Sequence, residues 1–426
     1  MVTMNTVKKV VIIGGGFGGA YTARYLEPLA RSGEVEVTLV NRTNYFLFTP
    51  LLHEVATGAL TPMSVTEPIR EVLRGSPIRF IEAEVKKIDS AKREIFLQEI
   101  KNSQSSTLAE VTLPYDYLVV SSGADTNFYN VKGAKEHSLT LKGLTSALDI
   151  RSRIVQTCEQ ALQATDKQTR EILLSFVIVG GGPTGVELAA EMVEFLHDTL
   201  CIYYRKAGLK KEEVKVTLVA TSPDLVPMFP PAMRQIALNH LVKKRVTVKT
   251  ATTVVEVTAN SVLLQDGSKI CSGTTIWVAG VAPSMLEIPG AERLPNGRVK
   301  IDECLRVVGQ QGAIFALGDV SAAEKPLPML AQVAVQQAKA LAANITSAVR
   351  GKELTPFIYH EKGLLMSLGQ WYATGHFFGL TFKGGLMWWL WRTIYLFNFH
   401  SWRKRFKIAA EWTVNLFYPR DITSIF

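Results

Sequence analysis

The pattern Gly-x-Gly-x-x-Gly occurs twice in this chain of 426 residues, and each copy directly follows an apolar run. The first copy spans residues 14–19 and the second spans residues 180–185. Both predict a buried strand, a tight turn and the start of a helix, which is the context that makes the pattern a dinucleotide-binding hypothesis. An isolated copy is often only a strand-to-helix turn, but two copies in this context argue against that interpretation.

The chemistry of a bound dinucleotide explains why glycine is needed in these turns. One glycine permits the turn, one lets the backbone approach the pyrophosphate, and one lets the helix pack closely on the strand. The phosphates then meet backbone N–H groups at the positive end of the helix dipole. Two such turns predict two dinucleotides, a flavin and a nicotinamide, which exchange electrons.

The elements around the two turns predict an α/β chain with two Rossmann-like domains and a C-terminal region. We expect residues 1–165 and 286–350 to form the first dinucleotide-binding domain, and residues 166–285 to form the second. Residues 351–426 differ in composition and are expected to be an amphipathic helical region that docks on a membrane. Strands are expected at 35–40 and 214–219, and each is followed by the position that usually holds a ribose-binding acid; these positions are occupied by Asn41 and Ala220.

Composition limits the classes of partner and cofactor. The formal net charge of +9 favours anionic partners, and no nucleic-acid recognition motif accompanies it. The four cysteines are isolated in the sequence, which argues against a metal site, an iron–sulfur cluster and a redox disulfide. The N-terminus lacks the pattern of a secretory signal, so we expect none there.

The C-terminal region is rich in tryptophan and in basic residues. Six of the seven tryptophans follow residue 351, and Arg403, Lys404 and Arg405 lie among them. Helical spacing predicts one aromatic stripe of Trp388, Trp391 and Tyr395, and a second stripe of Trp402, Phe406 and Ala409. This pattern favours a helix lying in the interface of an anionic membrane. The alternative is a dimer interface or a core helix, because aromatic stripes are often buried.

The motifs together resemble those of the type II NADH:quinone oxidoreductases, which are single-subunit NADH dehydrogenases that do not pump protons. The resemblance covers essentially the whole chain. It includes both glycine turns, the segment 44–56, the strand ends at Gly123 and Gly280, and the pair Gly318-Asp319. The most specific part is 331–337, which resembles the AQxAxQ quinone-site motif of that family.

The resemblance implies a role for each matching residue. FAD would be bound by the first turn and by the elements around it, and NADH, with NADPH as an alternative, by the second. Glu187, in the first turn of its helix, would lie near the flavin and the nicotinamide and handle protons. Gln332 and Gln336, on one helix face, would border the quinone, and Lys362 would lie close to the flavin. The implied cofactor-binding residues are Gly14, Gly16, Gly18, Gly19, Asn41, Arg42, Gly123, Gly318 and Asp319 for FAD, and Gly180, Gly182, Thr184, Gly185 and Gly280 for the nicotinamide nucleotide.

Two positions depart from the family pattern, and other functions stay open. The family usually has an acid at the position of Asn41 and a glutamate at that of Ala220. The carboxylate of that glutamate favours NADH over NADPH.

A sulfide:quinone oxidoreductase would need a cysteine pair such as Cys158 and Cys304 at the flavin. A flavoprotein sensor without turnover and a soluble ferredoxin or rubredoxin reductase are further alternatives. We expect a homodimer bound peripherally to the inner face of a cell or organelle membrane.

Overall fold

Two packing units, each built around a parallel sheet, make up the chain. The structure is a computed structural model that describes residues 7–99 and 110–423, so residues 1–6, 100–109 and 424–426 of the expected domains lie outside the described residues. The first unit contains Met1–Phe46, Thr66–Asp125 and Val281–Glu361, and the second contains Leu47–Val65, Thr126–Gly280 and Lys362–Phe426. The units are defined by packing alone, so the assignment of each expected domain to a cofactor stays a prediction.

The strands are, in chain order, β1 (Lys8–Ile13), β2 (Val35–Asn41), β3 (Tyr45–Leu47), β4 (Thr66–Pro68), β5 (Arg79–Asp89), β6 (Glu94–Glu99), β7 (Glu110–Pro114), β8 (Tyr117–Val120), β9 (Ala124–Thr126), β10 (Ser138–Thr140), β11 (Ser175–Val179), β12 (Lys215–Val219), β13 (Val246–Lys249), β14 (Val254–Thr258), β15 (Ser261–Leu264), β16 (Lys269–Cys271), β17 (Thr274–Trp277), β18 (Val281–Pro283), β19 (Val299–Lys300), β20 (Ile314–Ala316), β21 (Ser321–Ala322), β22 (Leu364–Ser367), β23 (Ala373–Phe377) and β24 (Leu380–Gly384). The α-helices are α1 (Phe17–Arg31), α2 (Leu52–Ala56), α3 (Ile69–Val72), α4 (Ala134–His137), α5 (Leu144–Gln163), α6 (Lys167–Leu173), α7 (Pro183–Glu194), α8 (Cys201–Tyr203), α9 (Pro231–Lys243), α10 (Ala331–Val349), α11 (Gly385–Phe397) and α12 (Trp402–Val414).

The first unit is organised by a sheet with the strand order β20-β8-β1-β2-β5-β6-β7. Its first five strands are parallel, and β6 and β7 add an antiparallel edge. The apolar ends of β1 and β8 are buried, because a parallel strand covered on both faces needs a continuous apolar run. Helices α1 and α10 pack against each other in this unit. The turn from β1 to α1 therefore lies at the carboxyl end of the sheet, where such folds bind ligands.

The second unit repeats this plan with the parallel order β10-β17-β11-β12-β13. Antiparallel three-stranded sheets are formed by β14–β16 and by β22–β24. Trp277 at the end of β17 is buried with valines of β11 and β12 in one apolar cluster, and its indole N–H donates to the carbonyl oxygen of Asn127 at 2.9 Å. The two Rossmann-like sheets confirm the α/β fold predicted from the sequence.

The C-terminal region differs from the expected helical one. It begins with the β22–β24 sheet, which the sequence analysis does not predict, and only then forms α11 and α12. Helix α11 packs on β22, β23 and β24, and contacts α12. Across residues 7–99 and 110–423, no helix combines the length and the apolarity that crossing a bilayer requires.

Candidate active site

The first glycine turn forms an open cradle at the start of α1. Gly14 has a φ of +100°, and a Cβ on it would lie 2.3 Å from the carbonyl oxygen of Ser121. A Cβ on Gly19 would lie 1.8 Å from the carbonyl oxygen of Gly14, so this glycine lets the helix pack on the turn. A Cβ on Gly16, the residue that caps α1, would meet no protein atom within 4 Å. The turn therefore keeps free space in front of the helix N-terminus, where a phosphate binds well.

Asn41 holds this turn in shape. Its Oδ1 accepts a hydrogen bond from the Gly15 N–H at 2.8 Å, and its Nδ2 donates to the carbonyl oxygen of Thr43 at 2.8 Å. The side chain is thus oriented by the loop, and Oδ1 keeps one lone pair. The adjacent Arg42 is exposed. Gly18 faces the sheet rather than the cradle, because a Cβ there would contact Ser121 at 3.1 Å.

Gly318 and Asp319 lie in a short helical turn after β20, beside a cavity of about 200 Å³. Gln337 accepts a hydrogen bond from the Gly318 N–H at 2.8 Å, and Arg298 donates to the Gly318 carbonyl oxygen at 3.3 Å. Burial lowers the pKa of Arg298, and the nearby charge of Asp319 opposes this effect. Sequence reasoning missed both Gln337 and Arg298, although Gln337 belongs to the glutamine-rich segment that it singled out.

The two expected quinone-site glutamines are half-buried on α10. The amide of Gln336 bridges the backbone of His360: Nε2 donates to its carbonyl oxygen at 2.8 Å, and Oε1 accepts from its N–H at 3.1 Å. Gln332 lies one turn earlier on the same helix. Gly123, which follows β8, has a φ of +73° and belongs to the same unit.

The second glycine turn repeats the geometry of the first. Gly180 has a φ of +129°, a Cβ on Gly185 would lie 1.9 Å from the Gly180 carbonyl oxygen, and a Cβ on Gly182 would meet nothing within 4 Å. Thr184 is exposed in the first turn of α7. Gly280 is required for packing, since a Cβ there would lie 2.2 Å from the hydroxyl of Tyr129. The same cradle is therefore built twice.

Glu187 lies in a buried cluster of carboxylates in the second unit. Pro183 starts α7 three residues earlier than the sequence predicted, because proline suits the first helical position, so Glu187 lies in the second turn and not the first. Its Oε1 accepts the Ser367 N–H at 3.1 Å, and its Oε2 lies 3.9 Å from Nδ1 of His53. Burial raises the pKa of Glu187 to about 8. Burial also lowers the pKa of His53 to about 4, which leaves this imidazole neutral near pH 7.

Three further glutamates complete the cluster, namely Glu54 on α2 and Glu191 and Glu194 on α7. Arg420 lies 2.6 Å from Glu191 and 3.4 Å from Glu194. Lys244 forms a salt bridge with Glu194. Burial raises the pKa of Glu194 to about 7. Burial is also the largest effect at Glu191, but the charges of Arg420 and its neighbours and the hydrogen bond from Arg420 together exceed it and leave the pKa lowered.

Trp412 and Arg392 of the C-terminal helices act on Glu54. Its Oε2 accepts the indole N–H of Trp412 at 2.6 Å, and burial raises its pKa to about 7. The guanidinium of Arg392 is stacked 3.6 Å from the ring of Trp388 and 4.8 Å from that of Trp412. Sequence reasoning missed Glu54 and Arg420. The only signal for Glu54 was an isolated acid within an apolar segment.

The stripe of Trp388, Trp391 and Tyr395 was expected to face a membrane, and this expectation is wrong for its tryptophans. Trp388 is 1% exposed and Trp391 is 0% exposed, because both pack inside the second unit. In the second stripe Trp402 is 74% exposed and Phe406 is 68% exposed. Other exposed apolar side chains of these two helices are Leu386, Trp389, Leu390, Phe397 and Val414.

Lys362 is exposed two residues before β22. Of the four cysteines, none of which is in a disulfide, Cys158 is buried in α5, and burial raises the pKa of its thiol to about 12. Burial also raises the pKa of Cys304. Neither thiol is activated as a redox nucleophile.

Comparisons with known proteins agree with this geometry. A family model described as pyridine nucleotide-disulphide oxidoreductase matches residues 8–338, and one described as the NDH2 C-terminal domain matches residues 361–421. The type II NADH:quinone oxidoreductase of Mycobacterium tuberculosis is 30% identical over 427 residues, which cover 97% of this chain and 89% of the relative.

The fold is also found in solved structures of other proteins. The structure of NDH2 from Plasmodium falciparum in complex with NADH has a TM-score of 0.89 at 23% identity, and the match covers 98% of this chain and 100% of that one. The sulfide:quinone oxidoreductase of Aquifex aeolicus has a TM-score of 0.71 at 21% identity, with 96% and 95% covered.

Proposed function

This chain belongs to the type II NADH:quinone oxidoreductases, and from that premise we propose that it transfers electrons from NADH through FAD to a membrane quinone without pumping protons. One observation carries the proposal. A single helix, α7, begins at a dinucleotide cradle and bears a buried carboxylate that is protonated at neutral pH, Glu187. Helix α7 thus carries both the turn proposed to bind the nucleotide and the acid proposed to deliver a proton.

The residues of the first unit fit FAD. The open space at Gly16 suits a pyrophosphate, which Gly14, Gly18 and Gly19 support by shaping the turn. Asn41 and Arg42 are proposed to bind the adenosine ribose. Gly123, Gly318 and Asp319 are proposed to hold the ribityl and phosphate part. When bound, FAD accepts a hydride from the nicotinamide and passes two electrons to the quinone.

The second unit is proposed to bind NADH through the backbone of its glycine turn. The open space at Gly182 suits the pyrophosphate, and Gly180 and Gly185 shape the turn. Thr184 is exposed in the first turn of α7 and is proposed to donate a hydrogen bond to a phosphate oxygen. Gly280 lies three residues after the end of β17, the strand that pairs with β11.

Glu187 is proposed to supply a proton for the reduction of the quinone. A general acid works best when its pKa lies near the working pH, and burial places that of Glu187 at about 8. The neutral His53 beside it leaves its proton in place. Gln332 and Gln336 are proposed to border the quinone through their amides, and Lys362 to lie near the flavin.

The exposed apolar side chains of α11 and α12 are proposed to enter a membrane. Arg403 and Lys407 are exposed among them and suit anionic headgroups. Docking of this kind gives the protein access to lipid-soluble quinones. We propose that it binds the inner face of the membrane as a homodimer.

The sulfide:quinone alternative is disfavoured by the buried thiol of Cys158, whose raised pKa suppresses the thiolate that a redox disulfide needs. A sensor without turnover would not need a protonated acid such as Glu187.

Steady-state oxidation of NADH by the purified protein with FAD, with and without a water-soluble short-chain quinone, tests the proposal. We expect turnover that depends on the quinone. Glu187→Gln should retain FAD and lower the rate, whereas Glu212→Gln, an exposed acid, should leave it unchanged. Flavin reduction by NADH without quinone turnover would contradict the proposal.

A further inference from the structure

The adenosine end of the proposed nucleotide site lacks its usual acid. Dinucleotide folds use a carboxylate directly after the second strand to bind the ribose hydroxyls. Here that position is Ala220, which is 3% exposed. Its N–H donates to the carbonyl oxygen of Lys249 at 2.8 Å, and its own carbonyl oxygen accepts the Thr252 N–H at 2.9 Å. Ala220 therefore offers no polar group to a ribose.

The loop that follows Ala220 folds back onto the glycine turn. The Val226 N–H donates to the carbonyl oxygen of Gly181 at 2.7 Å. Leu225 lies 3.1 Å from the position where a Cβ of Gly181 would be. Asp224 directly precedes Leu225 and therefore lies beside the second glycine turn, which is proposed to bind the pyrophosphate.

Arg234 fixes the carboxylate of Asp224. Its Nη1 donates to Oδ2 of Asp224 at 3.0 Å. The guanidinium is itself held by the carbonyl oxygens of Phe229 at 2.6 Å and Pro227 at 2.5 Å. In the part of the chain that the structure describes, Oδ1 of Asp224 accepts no hydrogen bond, and the side chain is 55% exposed. Asp224 thus presents one oriented, available carboxylate oxygen.

We propose that Asp224 replaces the missing acid at position 220 and selects NADH over NADPH, with Arg234 as the residue that positions it. This inference rests on the proposed oxidation of NADH at this site. Oδ1 accepts a hydrogen bond from a ribose hydroxyl of NADH, and the negative charge repels the 2′-phosphate of NADPH. Arg234 lies ten residues after Asp224, at the start of α9, so only the fold brings the two together.

The test is the affinity of the FAD-loaded protein for NAD⁺ and NADP⁺, measured by calorimetry so that no turnover is required. Asp224→Asn should weaken NAD⁺ binding about tenfold, which is the usual effect of losing a hydrogen bond to a charged group. It should also strengthen NADP⁺ binding, because Arg234 loses its partner and the repulsion disappears. Asp198→Asn, which removes an exposed acid paired with Lys211, is the matched control and should change neither affinity.

A second variant keeps the inference testable if the loop itself is disturbed. Ala220→Glu added to Asp224→Asn should restore the preference for NAD⁺ by returning the acid to its usual position. Arg234→Met should weaken NAD⁺ binding while Asp224 is still present, because the carboxylate loses its orientation. An unchanged ratio of the two affinities in Asp224→Asn would overturn the inference, while quinone turnover with NADH would still support the proposed function. Absence of binding by either nucleotide to the unmodified protein would overturn both.

Discussion

Glu187→Gln should make the protein more stable and the enzyme slower. The pKa of Glu187 rises from the ordinary value of 4.5 to about 8 on folding, because burial disfavours its charged form. Between these two pH values the unfolded chain loses the proton and the folded chain keeps it. The folded state therefore binds more protons, and stability falls as the pH rises through this window. Glutamine has no proton to lose, so the variant escapes this penalty.

The size of the effect follows from the shift. Each pH unit within the window costs about 1.4 kcal/mol, so the penalty reaches about 3 kcal/mol near pH 7. The carbonyl oxygen of the glutamine still accepts the Ser367 N–H that now bonds to Oε1 at 3.1 Å. The substitution therefore removes the titrating group without leaving a backbone donor unpaired.

Thermal unfolding of the two proteins between about pH 5 and about pH 8 measures this difference. Glu187→Gln should match the unmodified protein at the acidic end and melt several degrees higher at the basic end. Glu212→Gln, at an exposed site, should follow the unmodified protein throughout. Parallel curves for Glu187→Gln and the unmodified protein would refute the argument, since they would mean that folding does not shift the pKa of Glu187. Quinone turnover should fall in the same variant, because the proton has gone.

The other predictions concern the cradle, the buried ion pair and the apolar surface. Gly182→Ala should fold normally and lose affinity for NADH, whereas Gly185→Ala should unfold at a lower temperature, because its Cβ would lie 1.9 Å from a backbone oxygen; melting curves and nucleotide titrations separate the two. Arg420→Met should destabilise the protein by about 3–5 kcal/mol, measured by urea unfolding, because it leaves Glu191 buried without its cation. The double variant Trp402→Glu, Phe406→Glu should reduce binding to anionic vesicles in sedimentation while NADH oxidation with a water-soluble quinone is unaffected. Unchanged sedimentation would contradict the proposed membrane surface.

The two glycine turns and their strands could be predicted because their causes are local. A continuous apolar run followed by glycines at fixed spacing has few alternatives in a folded chain, and the bounds of β1 and β11 lie within two residues of the prediction. The ends of helices are harder to predict, since α7 begins at Pro183, three residues before the start that the sequence predicts. The sheet of β22–β24 was missed because its strands are short and only partly buried.

The carboxylate cluster could not be predicted because its members come from distant segments. Glu54, Glu187 and Arg420 meet only in the folded chain, and an isolated charge in a sequence is usually exposed. The same limit explains the error for α11. Its apolar residues surround the helix, so periodicity did not reveal that Trp388 and Trp391 face inward while Leu386 and Trp389 face outward.

The pairing of charges within the cluster indicates which acid carries the proton. Glu191 and Glu194 contact Arg420, and nearby cations outweigh burial at Glu191 but only reduce its effect at Glu194. Glu54 accepts a hydrogen bond from Trp412 and feels the charge of Arg392. Within the described residues, Glu187 accepts a hydrogen bond from a backbone N–H and lies 3.9 Å from a neutral histidine, and no lysine or arginine forms a salt bridge with it. Burial in that setting favours the protonated form of the carboxyl group. A proton donor to a quinone must be in this form before each turnover.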